Sequence, residues 1–227
     1  MATHDGHRQR LKKRFLEEGL DNFNEINVLE LLLFYAIPRK DTNEIAHNLL
    51  DKFGGLEGVL DANASDLVKT AGISDNSAVF LSLISAVSRF YQEKKTELDG
   101  PMDQPDRYCA VFRPKFIGRR NEMVYVLCLD AKYKMICCRL VGEGRINSAN
   151  ISVRKIAEIA LSVNATAIVL AHNHPSGFAV PSNEDIVATR HAAQVLQAMD
   201  IVLLDHVIAA DNEVVSMRSS GSYQPQY

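Results

Sequence analysis

The residues here whose types and spacing suit chemistry are His172, His174, Ser182 and Asp185, in a stretch running from Ala171-His172-Asn173-His174-Pro175-Ser176-Gly177 to Ser182-Asn183-Glu184-Asp185. Side chains two apart on an extended chain point the same way, so His172 and His174 can address one point off a strand end. Two imidazoles and one carboxylate make a borderline-soft set of three ligands. Such a set leaves a fourth position open for water, as catalytic zinc sites do. Plainer explanations stand beside this one. Two histidines at a strand end are often only satisfied polar residues. Ser182 with Asp185 also spells a capping box, in which the serine caps a helix and the acid three residues on returns the bond. Capping and catalysis therefore compete for one hydroxyl.

The elements that must position these residues follow from hydrophobic pattern. Residues 165–170 form a short apolar run, read as a buried strand ending at His172. Pro175 and Gly177 break the ladder and turn the chain, with Asn173 and Ser176 as loop-shaping residues. A helix is expected from about Asn183 to Met199, which puts Asp185 in its first turn. Upstream, residues 124–129 and 135–141 read as strands, and residues 153–163 as a helix with Ile156, Ile159, Ala160 and Val163 on one face. Residues 201–210 and 214–217 read as two closing strands joined by Asp211-Asn212-Glu213. A sheet with helices packed on it is the economical solution, hence an α/β fold.

The order and spacing of the chemical residues (His-x-His-Pro, then Ser, then Asp) resembles the JAMM (JAB/MPN) metalloenzyme motif. Within that superfamily, His172-Asn173-His174-Pro175-Ser176-Gly177 and the later Leu204-Asp205-His206 look like the RadC family. The resemblance covers roughly residues 105–217 and implies the JAMM α/β sandwich, a mixed sheet flanked by helices. It also implies Zn²⁺ held by His172, His174 and Asp185, with Ser182 donating to a developing oxyanion. The base in such enzymes is a glutamate opening an early strand. Glu122, ahead of Met123-Val124-Tyr125-Val126-Leu127-Cys128-Leu129-Asp130, matches that pattern, and Glu143 between Gly142 and Gly144 is the runner-up. Asp205 and His206 fit the family pattern as a buried orienting pair rather than as ligands.

The first part of the chain reads as helical. Residues 8–20 carry Arg8, Arg10, Lys12, Lys13 and Arg14 against Leu11, Phe15, Leu16 and Leu20, an amphipathic helix with a basic side. Further helices are expected over residues 26–36, 42–53, 56–60 and 79–91. Between Ser65 and Ala78, a helix, a tight Gly72-Ile73 turn and a second helix resemble a helix-hairpin-helix, which RadC proteins carry and which offers backbone N–H groups to a DNA phosphate. This copy departs from that pattern: Ser74 replaces the usual second glycine, and Asp75 adds a negative charge. Residues 1–97 hold 12 Lys+Arg against 15 Asp+Glu, so phosphate neutralisation gives this module little DNA affinity. Residues 93–106, charged and twice interrupted by proline, read as a linker. The expected domains are therefore a helical one at 1–97, a linker at 98–107 and the JAMM-type domain at 108–227.

Composition bounds the function. With 47% hydrophobic and 23% charged residues the chain can bury a real core, and a net charge of −3 argues against a general polyanion binder. No apolar run reaches the ~18 residues of a membrane span. No signal-peptide core follows Met1, so a cytoplasmic protein is expected. Cys109, Cys128, Cys137 and Cys138 contain no C-x-x-C pair and suit free thiols in a reducing compartment better than ligation. The leading expectation is a zinc-dependent hydrolase of peptide or isopeptide bonds acting on a protein or peptide substrate. The alternative is a DNA-associated accessory protein of recombination or repair whose metal site is not proteolytic. A catalytically silent scaffold is a third class, against which the full Glu, His, His, Ser, Asp set speaks.

Overall fold

The computed structural model describes residues 3–38, 40–95, 100–144, 152–175, 177–211 and 213–226, with side chains from residue 6 onward. Ser176 and Asn212, both expected in connections, lie outside the described residues. The chain forms two compact units, Met1–Ser88 and Arg89–Tyr227.

The first unit is all helical: α1 (Thr3–Glu18), α2 (Glu25–Ala36), α3 (Asn43–Phe53), α4 (Leu56–Leu60), α5 (Ala64–Leu67) and the first part of α6 (Asp75–Lys95). Asn24 starts α2 by accepting from the Asn27 amide at 2.9 Å, and α3 stops at Gly54, whose φ of 79° suits a residue without a Cβ. Leu29, Leu33, Leu49, Leu67 and Leu81 fill the core. The hairpin turn needs its glycine: Gly72 has φ +89°, and a Cβ there would lie 2.6 Å from Ile45 Cδ1. The amides that a phosphate would use are taken by side chains. Ser74 N donates to Ser77 Oγ at 2.7 Å, and Ser77 N donates to Ser74 Oγ at 3.3 Å. Three of the basic residues of α1 pack back on this unit as well. Arg8 donates to the Ile37 carbonyl at 2.8 Å and lies over Phe34, Arg14 donates to the Asn22 carbonyl and lies over Phe23, and Lys12 lies over Tyr35.

The second unit is built on one five-stranded mixed sheet, β1 (Met123–Leu129), β2 (Met135–Glu143), β3 (Ala167–Asn173), β4 (Val202–Ala210) and β5 (Glu213–Ser216), in the order β2-β1-β3-β4-β5. Only β3 and β4 run parallel; the other neighbours are antiparallel. β1 and β3 are buried along their whole length, as central strands covered on both faces must be. On one face, α8 (Val153–Ser162) and α9 (Asn183–Gln197) cover Val124, Val126, Ile168, Leu170, Leu203 and Ile208. On the other, α7 (Pro105–Phe116) covers Met123, Tyr125, Leu127, Val169, Leu204 and Val207. Among the described residues, no helix is long and apolar enough to cross a membrane.

The expected linker is where sequence and structure differ most. Helix α6 continues through Glu93 to Lys95, beyond the expected end at Tyr91, and the division between units falls after Ser88 rather than at 97. Residues 96–99 lie outside the described residues. From Gly100 on, the stretch is tied to the sheet domain. Met102 is fully buried, its amide donates to the Tyr133 carbonyl at 2.7 Å, and Pro105 opens α7 instead of breaking the chain. Proline is at home in a first helical turn, where its missing N–H has no intrahelical partner. The buried face of α7 (Tyr108, Val111, Phe112, Phe116) has helical spacing, but Pro105 and Pro114 masked it in the sequence.

Candidate metal centre

The site is assembled where β1 and β3 end together. Their antiparallel register sets Val124 opposite His172, so Glu122 and His174, each two residues further on, lie next to each other beyond the ladder. His174 stays extended because its amide donates to the Ala209 carbonyl at 2.7 Å, prolonging the contact with β4. With that backbone extended, His172 and His174 share the face covered by α9. Between them, Asn173 points the other way. Its Oδ1 accepts from Met123 N at 2.7 Å and its Nδ2 donates to the Asn121 carbonyl at 3.1 Å, pinning both backbone groups that flank Glu122.

Helix α9 supplies the carboxylate. Ser182 and Asp185 form the capping box: Asp185 N donates to Ser182 Oγ at 3.1 Å, and Ser182 N donates to Asp185 Oδ2 at 2.8 Å. The serine hydroxyl also donates to Asp185 Oδ2, at 2.6 Å. Capping therefore holds the hydroxyl here. It does not exhaust the carboxylate, which has several acceptor directions.

Donor atoms of three residues meet. His172 Nε2 lies 2.9 Å from His174 Nε2 and 3.2 Å from Asp185 Oδ1, and His174 Nε2 lies 3.5 Å from Asp185 Oδ2. Zinc at about 2.0–2.1 Å from each of three tetrahedral ligands would hold them roughly 3.3 Å apart, within that spread. Both imidazoles also turn the correct nitrogen inward. His174 Nδ1 donates to the Phe178 carbonyl at 3.1 Å, leaving Nε2 for the centre. Two nitrogen lone pairs facing each other beside a carboxylate suit a cation between them. The residues fit a divalent metal ion, and they are the group of such residues found among those described.

Electrostatics agree. Burial by itself would push the Asp185 carboxyl up, but His172 and His174 in their protonated forms donate to it and, with the charge of His172, hold it well below the usual carboxylate range. The hydrogen bond to Asp185 raises His174 above the ordinary imidazole value against the opposing effect of burial, and the Glu122 carboxylate adds to the rise through its charge. That places Glu122 within electrostatic reach of the cluster. Glu143 faces elsewhere: it pairs in register with Met123, whose side chain lies on the α7 face, and its carboxylate accepts from Asn121 Nδ2 at 3.1 Å.

Asp205 and His206 do not act as one pair. The Asp205 carboxylate is turned toward α7, accepting from Tyr108 Oη at 2.6 Å, from the Ser216 hydroxyl, from Arg218 N at 2.8 Å and from His206 N at 2.7 Å. It ties α7, β4 and the turn after β5 together. The His206 ring lies on the other face, with Nε2 2.8 Å from His172 Nδ1 and Nδ1 2.6 Å from Thr189 Oγ1. Burial, then the neighbouring His172, keep its pKa well below the ordinary imidazole value. Thr189 was not singled out in the sequence, although it stands one helical turn after Asp185. The cysteines stay out of the site; Cys109, Cys128 and Cys138 have thiols pushed up to about 12, chiefly by burial, and are not thiolate ligands.

Residues 102–222 match the family described as RadC-like JAB domain. Over nearly its whole length the chain is similar to UPF0758 protein FN0909 of Fusobacterium nucleatum subsp. nucleatum, 34% identical over 223 residues that make up 95% of this chain and 96% of that one. UPF0758 proteins of Pseudomonas savastanoi pv. phaseolicola and Azotobacter vinelandii are each 28% identical over 213 residues, 94% of this chain and 95% of theirs. With that family spanning the sheet, the helices and all three donor residues, the chain belongs to the RadC family of the JAB/MPN superfamily.

Proposed function

We propose that the chain is a zinc-dependent hydrolase of peptide or isopeptide bonds, acting in the cytoplasm on a protein or peptide substrate. The observation that carries this reading is the convergence of His172 Nε2, His174 Nε2 and the Asp185 carboxylate on one point where β3 ends, beside Glu122. A divalent ion held there supplies an acidified water and polarises a carbonyl. The chain's own residues do the rest. Glu122 takes the proton from the attacking water and returns it to the departing amine, a role usually contributing ~10²–10⁴ in rate. Asn173 keeps that carboxylate in place through the two backbone groups on either side of it. Ser182 holds Asp185 in its ligating orientation at rest. Its hydroxyl reaches a developing oxyanion by exchanging its bond to Asp185 Oδ2.

The accessory DNA-binding reading has less support. Side chains already hold the hairpin amides at Ser74 and Ser77, and the unit that carries them is acidic. The test is a proteomic search for proteins held by the Glu122→Gln variant, followed by cleavage of a captured protein with the unaltered enzyme. Cleavage that stops with a chelator and returns with Zn²⁺ supports the proposal. Salt-dependent DNA binding that survives metal removal, with no chelator-sensitive cleavage, would favour the accessory reading.

A further inference from the structure

We infer that Thr189 and His206 are positioning residues that fix the tautomer of His172 through a one-directional hydrogen-bond relay, and that metal affinity depends on this relay. The inference rests on the metal-centre reading above and extends it to two residues that touch no ion. The direction follows from donors and acceptors alone. Thr189 Oγ1 lies 2.6 Å from the Asp185 backbone carbonyl, and a carbonyl oxygen carries no proton, so the threonine hydroxyl must donate there. Met217 Sδ, at 3.7 Å, is the weaker acceptor for that single proton. With its proton committed, Thr189 Oγ1 can only accept from His206 Nδ1–H at 2.6 Å. His206 is fully buried, and neither ring nitrogen meets an acid, so the ring is neutral and Nε2 keeps its lone pair. That lone pair accepts from His172 Nδ1–H at 2.8 Å. His172 therefore presents an unprotonated Nε2 to His174 and Asp185.

The relay begins at the backbone of one ligand residue, Asp185, and ends on the ring of another, His172, so β3, β4 and α9 hold the pair together. Were the relay reversed, the Thr189 proton would point at His206 Nδ1, His206 Nε2–H would donate to His172 Nδ1, and His172 would turn an N–H toward the centre. A ring in that state is no ligand.

Thr189→Val keeps the shape and removes the hydroxyl, whereas Thr189→Ser keeps the hydroxyl. Titration with Zn²⁺ against a chromogenic chelator should show affinity falling about 10–100-fold in Thr189→Val, the range for losing an outer partner of a ligand histidine, and near wild type in Thr189→Ser. Ring ¹⁵N shifts of metal-free protein give a second measurement: His172 should be the Nδ1–H tautomer in wild type and Thr189→Ser, and mixed in Thr189→Val. A folded Thr189→Val with unchanged tautomer and unchanged Zn²⁺ affinity overturns the relay and leaves the metal centre standing. A wild-type chain that takes up no Zn²⁺ overturns the metal centre and the relay with it.

Discussion

Two helix N-termini in this molecule use the same local device to different ends. Ahead of α6, Ser74 and Ser77 bond each other across three residues, and the Ser77 hydroxyl turns back to the Ser74 carbonyl at 2.9 Å. Ahead of α9, Ser182 and Asp185 do the same, but the second partner is a carboxylate. Each arrangement satisfies backbone amides that the helix leaves without partners. A hydroxyl is used up by that task. A carboxylate keeps acceptor directions in reserve, and Asp185 gives Oδ1 to His172 while Oδ2 serves the cap. A capping box is thus no sign of chemistry, and no argument against it either; what decides is whether another element brings partners to the spare oxygen.

The sharpest way to break this contrast is to remove a partner that β3 brings. His174→Ala should abolish stoichiometric metal uptake, a larger loss than the ~10–100-fold expected of an outer residue, with the fold retained because His174 is half-buried at a strand end. Elemental analysis of the purified variant beside wild type is the measurement, and equal metal content in the two would dissolve the site. Next in size is Glu122→Gln, expected to lower hydrolysis ~10²–10⁴-fold with metal content unchanged. Glu143→Gln should change neither. A rate loss in Glu143→Gln alone would move the base to the other glutamate, against the register that puts it on the α7 face.

Much of this contrast was legible in the sequence, and the reasons it stopped being legible are physical. A short apolar run and a capping motif placed β3 and α9 within a residue or two, and side-chain direction along a strand put His172 and His174 on one face, because these are local properties. Glu122 was reached by resemblance, and only the antiparallel register of β1 with β3 explains why it arrives beside His174. Thr189 and His206 could not be joined in advance. Their contact crosses from helix to strand, and it depends on a register shift in the β3–β4 pairing that no local pattern records. The expected partnership of Asp205 with His206 fails for a simpler reason, that adjacent residues on a regular strand face opposite layers. Helix α7 was hidden for the opposite reason. Its prolines look like breaks, while the burial that makes them tolerable is tertiary.

Acidity separates the two helix ends as well. His174 holds a proton above its ordinary value of 6.5 because Asp185 accepts from it, and that proton occupies the nitrogen a metal needs. Zn²⁺ affinity should therefore weaken as pH falls through this raised value, by about tenfold per pH unit below it, and the loss should set in above pH 6.5 rather than below. In metal-free protein the signs differ by group. The raised His174 contributes stability below 6.5 that is lost as pH rises through its folded value, whereas the depressed Asp185 contributes stability above its ordinary 3.8 that is lost as pH falls through its folded value. Metal titrations across pH 5–8 check the first expectation; denaturant midpoints of metal-free protein over a wider range check the second. Affinity that stays flat down to pH 5 would mean that Asp185 does not hold the His174 proton.

The smallest effect isolates the cap from the centre. Ser74→Ala and Ser182→Ala each remove one hydroxyl from a helix start, and each should lower unfolding free energy by about 0.5–2 kcal/mol in denaturant titrations. They part on metal. Ser74→Ala should leave Zn²⁺ content and hydrolysis at wild-type levels, because nothing beyond its own turn uses the bond it loses. Ser182→Ala removes the hydroxyl bond to Asp185 Oδ2 and the one from Asp185 N, and leaves the carboxylate held at the cap by the Ser182 amide alone. Its Zn²⁺ affinity should fall along with its stability. Two variants equal in stability loss and also equal in metal affinity would show that Asp185 needs no help from its cap to face the histidines, and the two helix ends would then differ only in the residue at the third position.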